Sequence, residues 1–212
     1  MKIGVFDSGK GGTLILNEIK KLLPNEDYLY IGDSKNCPYG EKTDEELMAI
    51  VKGIVDRFVK WGAKLIVIAC NTATTRCISQ LRKDYPNIQF VGTEPAIKLA
   101  AKSDARKILV MATPGTIDSE RTARLLEENK KDNQVIDLLA CNGLADVIET
   151  NGDVDKKLRG LLNDSQKDYD KIVLGCTHYS LVKANIQKFF PAAELIDGNK
   201  AVANRVKKLI ES

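Results

Sequence analysis

Histidine is almost missing from this chain: His178 is the single one in 212 residues. That scarcity argues against a zinc site, whose ligands are mostly imidazoles and clustered thiolates. The five cysteines (Cys37, Cys70, Cys77, Cys141, Cys176) are odd in number and contain no Cys-x-x-Cys pair, so no disulfide framework is expected. No window approaches the roughly 20 apolar residues of a membrane helix. Met1–Phe6 opens directly into a strand pattern and not into a charged-then-apolar leader, so the expected location is the cytoplasm. A net charge of +3 gives no strongly basic patch of the kind that binds nucleic acid. Lys20-Lys21 and Lys207-Lys208 are short pairs near predicted helix ends and read as solvated faces. Neither Gly-x-Gly-x-x-Gly nor a phosphate loop ending Gly-Lys-Ser/Thr occurs. No metal and no cofactor is therefore expected.

What is present is strand–helix alternation. Short apolar runs near 2–6, 28–31, 64–69, 89–92, 107–112, 134–139, 170–175 and 193–196 predict strands, with helical patterns between them, such as 43–61 and 117–130. This order predicts an α/β fold with parallel sheets covered by helices on both faces. Leu65-Ile66-Val67-Ile68 and Lys171-Ile172-Val173-Leu174 lack period-two polarity, as strands buried on both sides do.

The unit occurs twice. Ile3-Gly4-Val5-Phe6 with its Ser8–Gly12 loop resembles Ile108-Leu109-Val110-Met111 with Thr113-Pro114-Gly115-Thr116. Leu65–Thr72 resembles Ile172–Thr177, each reading strand, cysteine, polar residue. The offsets are 105 residues at the strands and 106 at the cysteines. Two pseudo-symmetric domains are expected, 1–96 and 97–197, with the C-terminal helix (198–212) packing back on the first.

In open parallel sheets, ligands bind beyond the carboxyl ends of the strands, and three segments fall there. Asp7-Ser8-Gly9-Lys10-Gly11-Gly12 permits a tight turn whose N–H groups, at a helix N-terminus, suit an anion; a purely structural turn fits it equally. Ala69-Cys70-Asn71-Thr72-Ala73 and Gly175-Cys176-Thr177-His178-Tyr179 each place a cysteine at the end of a buried strand. A lone cysteine there is ordinarily inert core. Two in equivalent places are a different matter, and a helix N-terminus beyond each would lower the thiol pKa toward neutrality. Cys37, Cys77 and Cys141 lack this setting. Opposed thiols suit racemisation: one thiolate removes a proton from carbon and the other thiol returns one to the opposite face. His178, two residues after Cys176, also leaves Cys–His acyl transfer open.

At these residues the sequence resembles glutamate racemases of the aspartate/glutamate racemase superfamily. The motifs are Phe6-Asp7-Ser8-Gly9-x-Gly11-Gly12, Gly32-Asp33 with Pro38-Tyr39-Gly40, Ala69–Ala73, Glu94-Pro95, and Leu174-Gly175-Cys176-Thr177-His178-Tyr179, in the family's order. The resemblance implies two α/β domains with the active site in the cleft between them, in a cofactor-independent enzyme supplying D-glutamate for peptidoglycan synthesis in a bacterial cytoplasm, as a homodimer. It implies Cys70 as acid/base toward D-glutamate and Cys176 toward L-glutamate, with Asp7 and His178 as their helpers and Glu149 assisting on the second side. Ser8, Tyr39, Gly40, Asn71, Thr72 and Thr177 become ligand contacts, joined by Thr113 and Thr116, and hydroxyls, amides and N–H groups can hold a doubly anionic substrate. Each helper also has a plain structural reading: Asp7 as a turn former, Glu149 as a solvated carboxylate, Tyr39 as packing, His178 as a core residue. The chain departs from the family pattern at Asn142 and Ser180, where prolines are usual, and the stretch between Glu149 and Cys176 is short. Typical members continue beyond the helix 199–211. Two rivals stand beside this reading, a racemase of aspartate or another acidic amino acid and an inactive acidic-ligand-binding regulator.

Overall fold

The computed structural model describes residues 1–162 and 168–211. Residues 163–167, inside the expected second domain, and Ser212, at the end of the expected last helix, lie outside the described residues. The first half runs β1 (Lys2–Asp7), α1 (Thr13–Leu22), β2 (Asp27–Gly32), α2 (Asp44–Trp61), β3 (Leu65–Ile68), α3 (Asn71–Asp84) and β4 (Gln89–Gly92). It continues α4 (Ile97–Lys102), β5 (Lys107–Ala112), α5 (Pro114–Ile117), α6 (Glu120–Asn129), β6 (Val135–Ala140), α7 (Leu144–Glu149), α8 (Val154–Leu162), β7 (Lys171–Leu174), α9 (Lys183–Phe189), β8 (Glu194–Ile196) and α10 (Asn199–Ile210).

Two parallel four-stranded sheets result, ordered β2-β1-β3-β4 and β6-β5-β7-β8, the same order once repeated. The fold is α/β, and the duplication visible in the sequence is a duplication of topology. In each sheet the two central strands precede the site loops: β1 pairs with β2 and β3, and β5 with β6 and β7. Their burial explains their composition. Leu65, Ile66, Val67 and Ile68 are wholly buried, covered on one face by α1 and α10 and on the other by α2 and α3. Leu109 and Met111 pack with α7 and α8, whereas Ile108 and Val110 pack with α4 and α6. Val202, Ala203 and Val206 of α10 join the cluster of Ile3, Val5 and Ile15. No helix among the described residues is long and apolar enough to cross a membrane.

Helix α2 shows how local sequence sets these elements. Leu47, Val51, Ile54, Val55 and Phe58 form its buried stripe, the spacing of one helical face. Gly4 lets Phe58 lie on β1, since a Cβ there would come within 2.7 Å of the ring. Thr43 and Glu46 close a reciprocal capping box at its start, and Gly62, at φ 90°, ends it in the left-handed region that favours glycine. Thr43→Ala should remove the cap at a cost of about 1 kcal/mol, lowering the calorimetric unfolding midpoint by about 2–4 °C. An unchanged midpoint would show that the box contributes nothing in this context.

Candidate active site

Loops from the carboxyl ends of both sheets meet at a seam. Asp7 ends β1, Cys70 caps α3 after β3, Thr113 caps α5 after β5, and Cys176 leads from β7 into a 3-10 turn over Thr177–Val182. Cys70 and Cys176 are 4% and 7% exposed, and Asp7 and His178 are fully buried. Burial on this scale makes every unpaired polar group costly, so the hydrogen bonds are informative.

Asp7 takes the Gly12 N–H on one oxygen at 2.9 Å and the Thr177 hydroxyl on the other at 3.1 Å, joining its own loop to the opposite half. Burial holds its pKa above the ordinary carboxylate range, opposed by His178 and by the Gly12, Thr177 and Ser8 donors. The Cys70 thiol donates to Ser8 Oγ at 3.7 Å. Cys176 Sγ lies 3.8 Å from His178 Nδ1, and His178 Nε2 lies 2.8 Å from Glu149 Oε2. A carboxylate on Nε2 selects the tautomer with its proton there, leaving Nδ1 free to accept from the thiol. Glu149, whose burial favours the neutral form, is nevertheless held below its ordinary pKa by Ser34, the Lys10 N–H and His178.

The expected lowering of the two thiol pKa values is reversed. Burial pushes Cys70 up to about 12, reinforced by the Asp7 charge, although the N–H groups of Ala73 and Ser8 pull the other way. Cys176 is also raised, by burial, then by the charges of Cys70 and Asp7. The helix N-terminus is real but weaker than desolvation in a sealed site. The glycine loop departs from expectation as well. In this structure the anions on its N–H groups are the protein's own carboxylates, with Gly12 bound to Asp7 and Lys10 to Glu149.

Thr72, Thr113 and Thr116 form a triangle of hydroxyls, 2.9, 3.2 and 3.0 Å apart, spanning both halves. Gly40 packs so tightly on Thr113 that a Cβ would lie 2.9 Å from its Cβ. Asn71 Oδ1 is buried and has no hydrogen-bond partner among the described residues, a cost that a polar ligand would relieve. Tyr39 is otherwise committed: its ring belongs to the core and its hydroxyl donates to Asp33 at 2.7 Å, leaving the backbone of its turn as its offering to a ligand. Ser34 and Lys10, neither of them among the expected site residues, both donate to Glu149 from the other half; for Lys10 the signal was the anion-suited N–H groups of its loop, and for Ser34 there was none. A polar cleft of about 840 Å³ also lies between the halves, lined by Gly40, Arg76 and the Arg121–Glu94 pair but by neither Cys70 nor Cys176.

The chain has known relatives. The model of the Asp/Glu/Hydantoin racemase family matches residues 9–206. The chain belongs to that family. It is an amino-acid racemase, an isomerase. The glutamate racemase of Clostridium acetobutylicum is 40% identical over 215 residues, covering 99% of this chain and 84% of that one. That of Pseudomonas syringae pv. tomato is 42% identical over 215 residues, covering 98% and 78%. Among solved structures, Escherichia coli glutamate racemase in complex with L-glutamate and the activator UDP-MurNAc-ala superposes with a TM-score of 0.89 at 32% identity, covering 99% and 82%.

Two outcomes test the geometry of the racemase. With Cys37, Cys70, Cys77 and Cys141 at about 12 and Cys176 raised as well, the ligand-free protein should show no ultraviolet thiolate band up to about pH 9, where ordinary thiols of pKa about 8.5 are largely ionised. One equivalent of thiolate at neutral pH would contradict it. Gly9→Ala should place a methyl 2.5 Å from Glu149 Oε2 and 2.7 Å from His178 Nε2, so turnover should fall at least about tenfold as the pair is displaced. Wild-type turnover would mean the loop need not lie flat.

Proposed function

We propose that this racemase interconverts L- and D-glutamate, with Cys70 and Cys176 as its two acid/bases. The observation that carries the reading is the equivalent placement of the two sulfurs after β3 and β7, each beside its own proton-handling group. From L-glutamate, Cys176 passes its thiol proton to His178 Nδ1, whose far nitrogen is held by Glu149. The thiolate takes the α-proton, and the Cys70 thiol gives its proton to the opposite face of the carbanion. Cys70 is left as thiolate, Cys176 as thiol and the transferred proton on His178, the state from which D-glutamate is processed. Asp7, within electrostatic reach of Cys70, serves as the helper on that side. General acid–base assistance of this kind typically contributes about 10²–10⁴ in rate.

Glutamate is favoured by the kinship with glutamate racemases and by a site rich in neutral donors. Ser8, Asn71, the Thr72–Thr113–Thr116 triangle, Thr177 and the Tyr39-Gly40 backbone would hold two carboxylates and an ammonium, with charge stabilised by oriented dipoles. The same kinship supports a cytoplasmic homodimer that supplies D-glutamate for peptidoglycan. We take 1–96 with 198–212 as one domain and 97–197 as the other, the site lying between them.

Circular dichroism should follow the loss of optical activity of L-glutamate, with L-aspartate turned over much more slowly. Cys70→Ala and Cys176→Ala should each abolish racemisation, whereas dialysis against EDTA should leave the wild type active. Near wild-type turnover in either alanine variant sinks the two-base reading, and faster turnover of aspartate sinks the substrate.

A further inference from the structure

Glu149 sits at the wrong end of its helix. It is the last residue of α7, where the exposed carbonyls disfavour an anion. Its carboxylate is held by three donors, and two of them come from the opposite half. Oε1 receives the Ser34 hydroxyl. Oε2 receives the Lys10 N–H at 3.0 Å and contacts His178 at 2.8 Å. Lys10 Nζ also donates to the Glu149 carbonyl at 3.1 Å and to Asn151 Oδ1 at 2.8 Å, covering the helix end. The donors are themselves anchored. The Asp33 N–H donates to the Asp7 carbonyl at 2.9 Å, and the Asp33 carboxylate receives Asn36 at 2.9 Å and Tyr39 at 2.7 Å, fixing the turn that carries Ser34. Gly9 has no side chain to separate that loop from the Glu149–His178 pair.

We propose that Ser34 is a positioning residue for the Cys176 face: by donating to Glu149 across the seam, it holds Glu149 and His178 in line with Cys176. The relay Cys176–His178–Glu149 belongs to one half, but it is aligned by the other. Separating the halves removes the Ser34 and Lys10 donors together, so proton transfer at Cys176 is competent only when the seam is closed. This rests on the reading of Cys176 and His178 as a proton-transfer pair, and it assigns a role to a hydroxyl outside the ligand contacts.

Ser34 is exposed at the rim, so Ser34→Ala opens no cavity and should fold normally. The variant should lower kcat about tenfold, the usual effect of losing one hydrogen bond to a charged group, with KM little changed, and Ser34→Thr should restore it. Exchange of the α-proton with D₂O should slow more from L-glutamate than from D-glutamate. His178 is the one histidine of the chain, so its ring resonances report on the pair without turnover; they should move in Ser34→Ala and return in Ser34→Thr. Unmoved resonances, or wild-type kcat in Ser34→Ala, would overturn the proposal while leaving the racemase reading intact. Equal slowing from both enantiomers would also overturn it, placing Ser34 outside the Cys176 face. Were glutamate not a substrate at all, that reading alone would fall, and the His178 resonances would still decide whether Ser34 holds the pair.

Discussion

A fully buried carboxylate, Asp7, is the constraint from which the rest of the site follows. Its two oxygens answer to different halves, one to Gly12 N–H and one to the Thr177 hydroxyl. The loop after β1 must curl back within five residues to deliver that N–H, which leaves no room for side chains at Gly11 and Gly12. A Cβ at Gly12 would lie 2.6 Å from Asp7 Cβ, and one at Gly11 would lie 2.7 Å from the backbone of Thr177 and His178. The arrangement is costly. A carboxyl whose folded pKa is raised supports the fold below its ordinary value of about 4 and loses that support as pH rises through the folded value. At neutral pH, Asp7 therefore detracts from stability.

The fold was legible because its signals are local. Leu65–Ile68 and Lys171–Leu174 announce buried strands by composition, and the recurrence of strand, cysteine and polar residue announces the duplication. Of the proposed site, the sequence marks the part that repeats: Cys70 and Cys176 stand out as a pair, whereas either alone would pass as core. Other features could not be read because they depend on distance in space. Ser34 and Lys10 lie 115 and 139 residues from Glu149, and no periodicity or spacing joins them. The thiol pKa direction was misjudged for a related reason. A helix N-terminus is visible in sequence, but the desolvation that outweighs it is a property of the closed seam. Tyr39 shows the same limit, since its motif position says nothing of the Asp33 partner that occupies its hydroxyl.

The scaffold is symmetric and the chemistry placed on it is not. Identical sheet orders put β3 and β7 in equivalent positions of the two halves, the arrangement we read as serving inversion at one carbon. Enantiomers have equal free energy, so the two directions must balance thermodynamically, yet nothing obliges the two thiols to be served by the same residues. Cys70 has Ser8 and Asp7; Cys176 has His178 and Glu149. These differences do not sort by half. Asp7 of the first half binds Thr177 beside Cys176, and Ser34, Gly9 and Lys10 of the first half shape the Glu149–His178 pair. The loops of one sheet thus complete the surroundings of both sulfurs. On the two-base reading, the surroundings of the two sulfurs are complete only where the halves meet, and the duplicated strands are the means of aligning them.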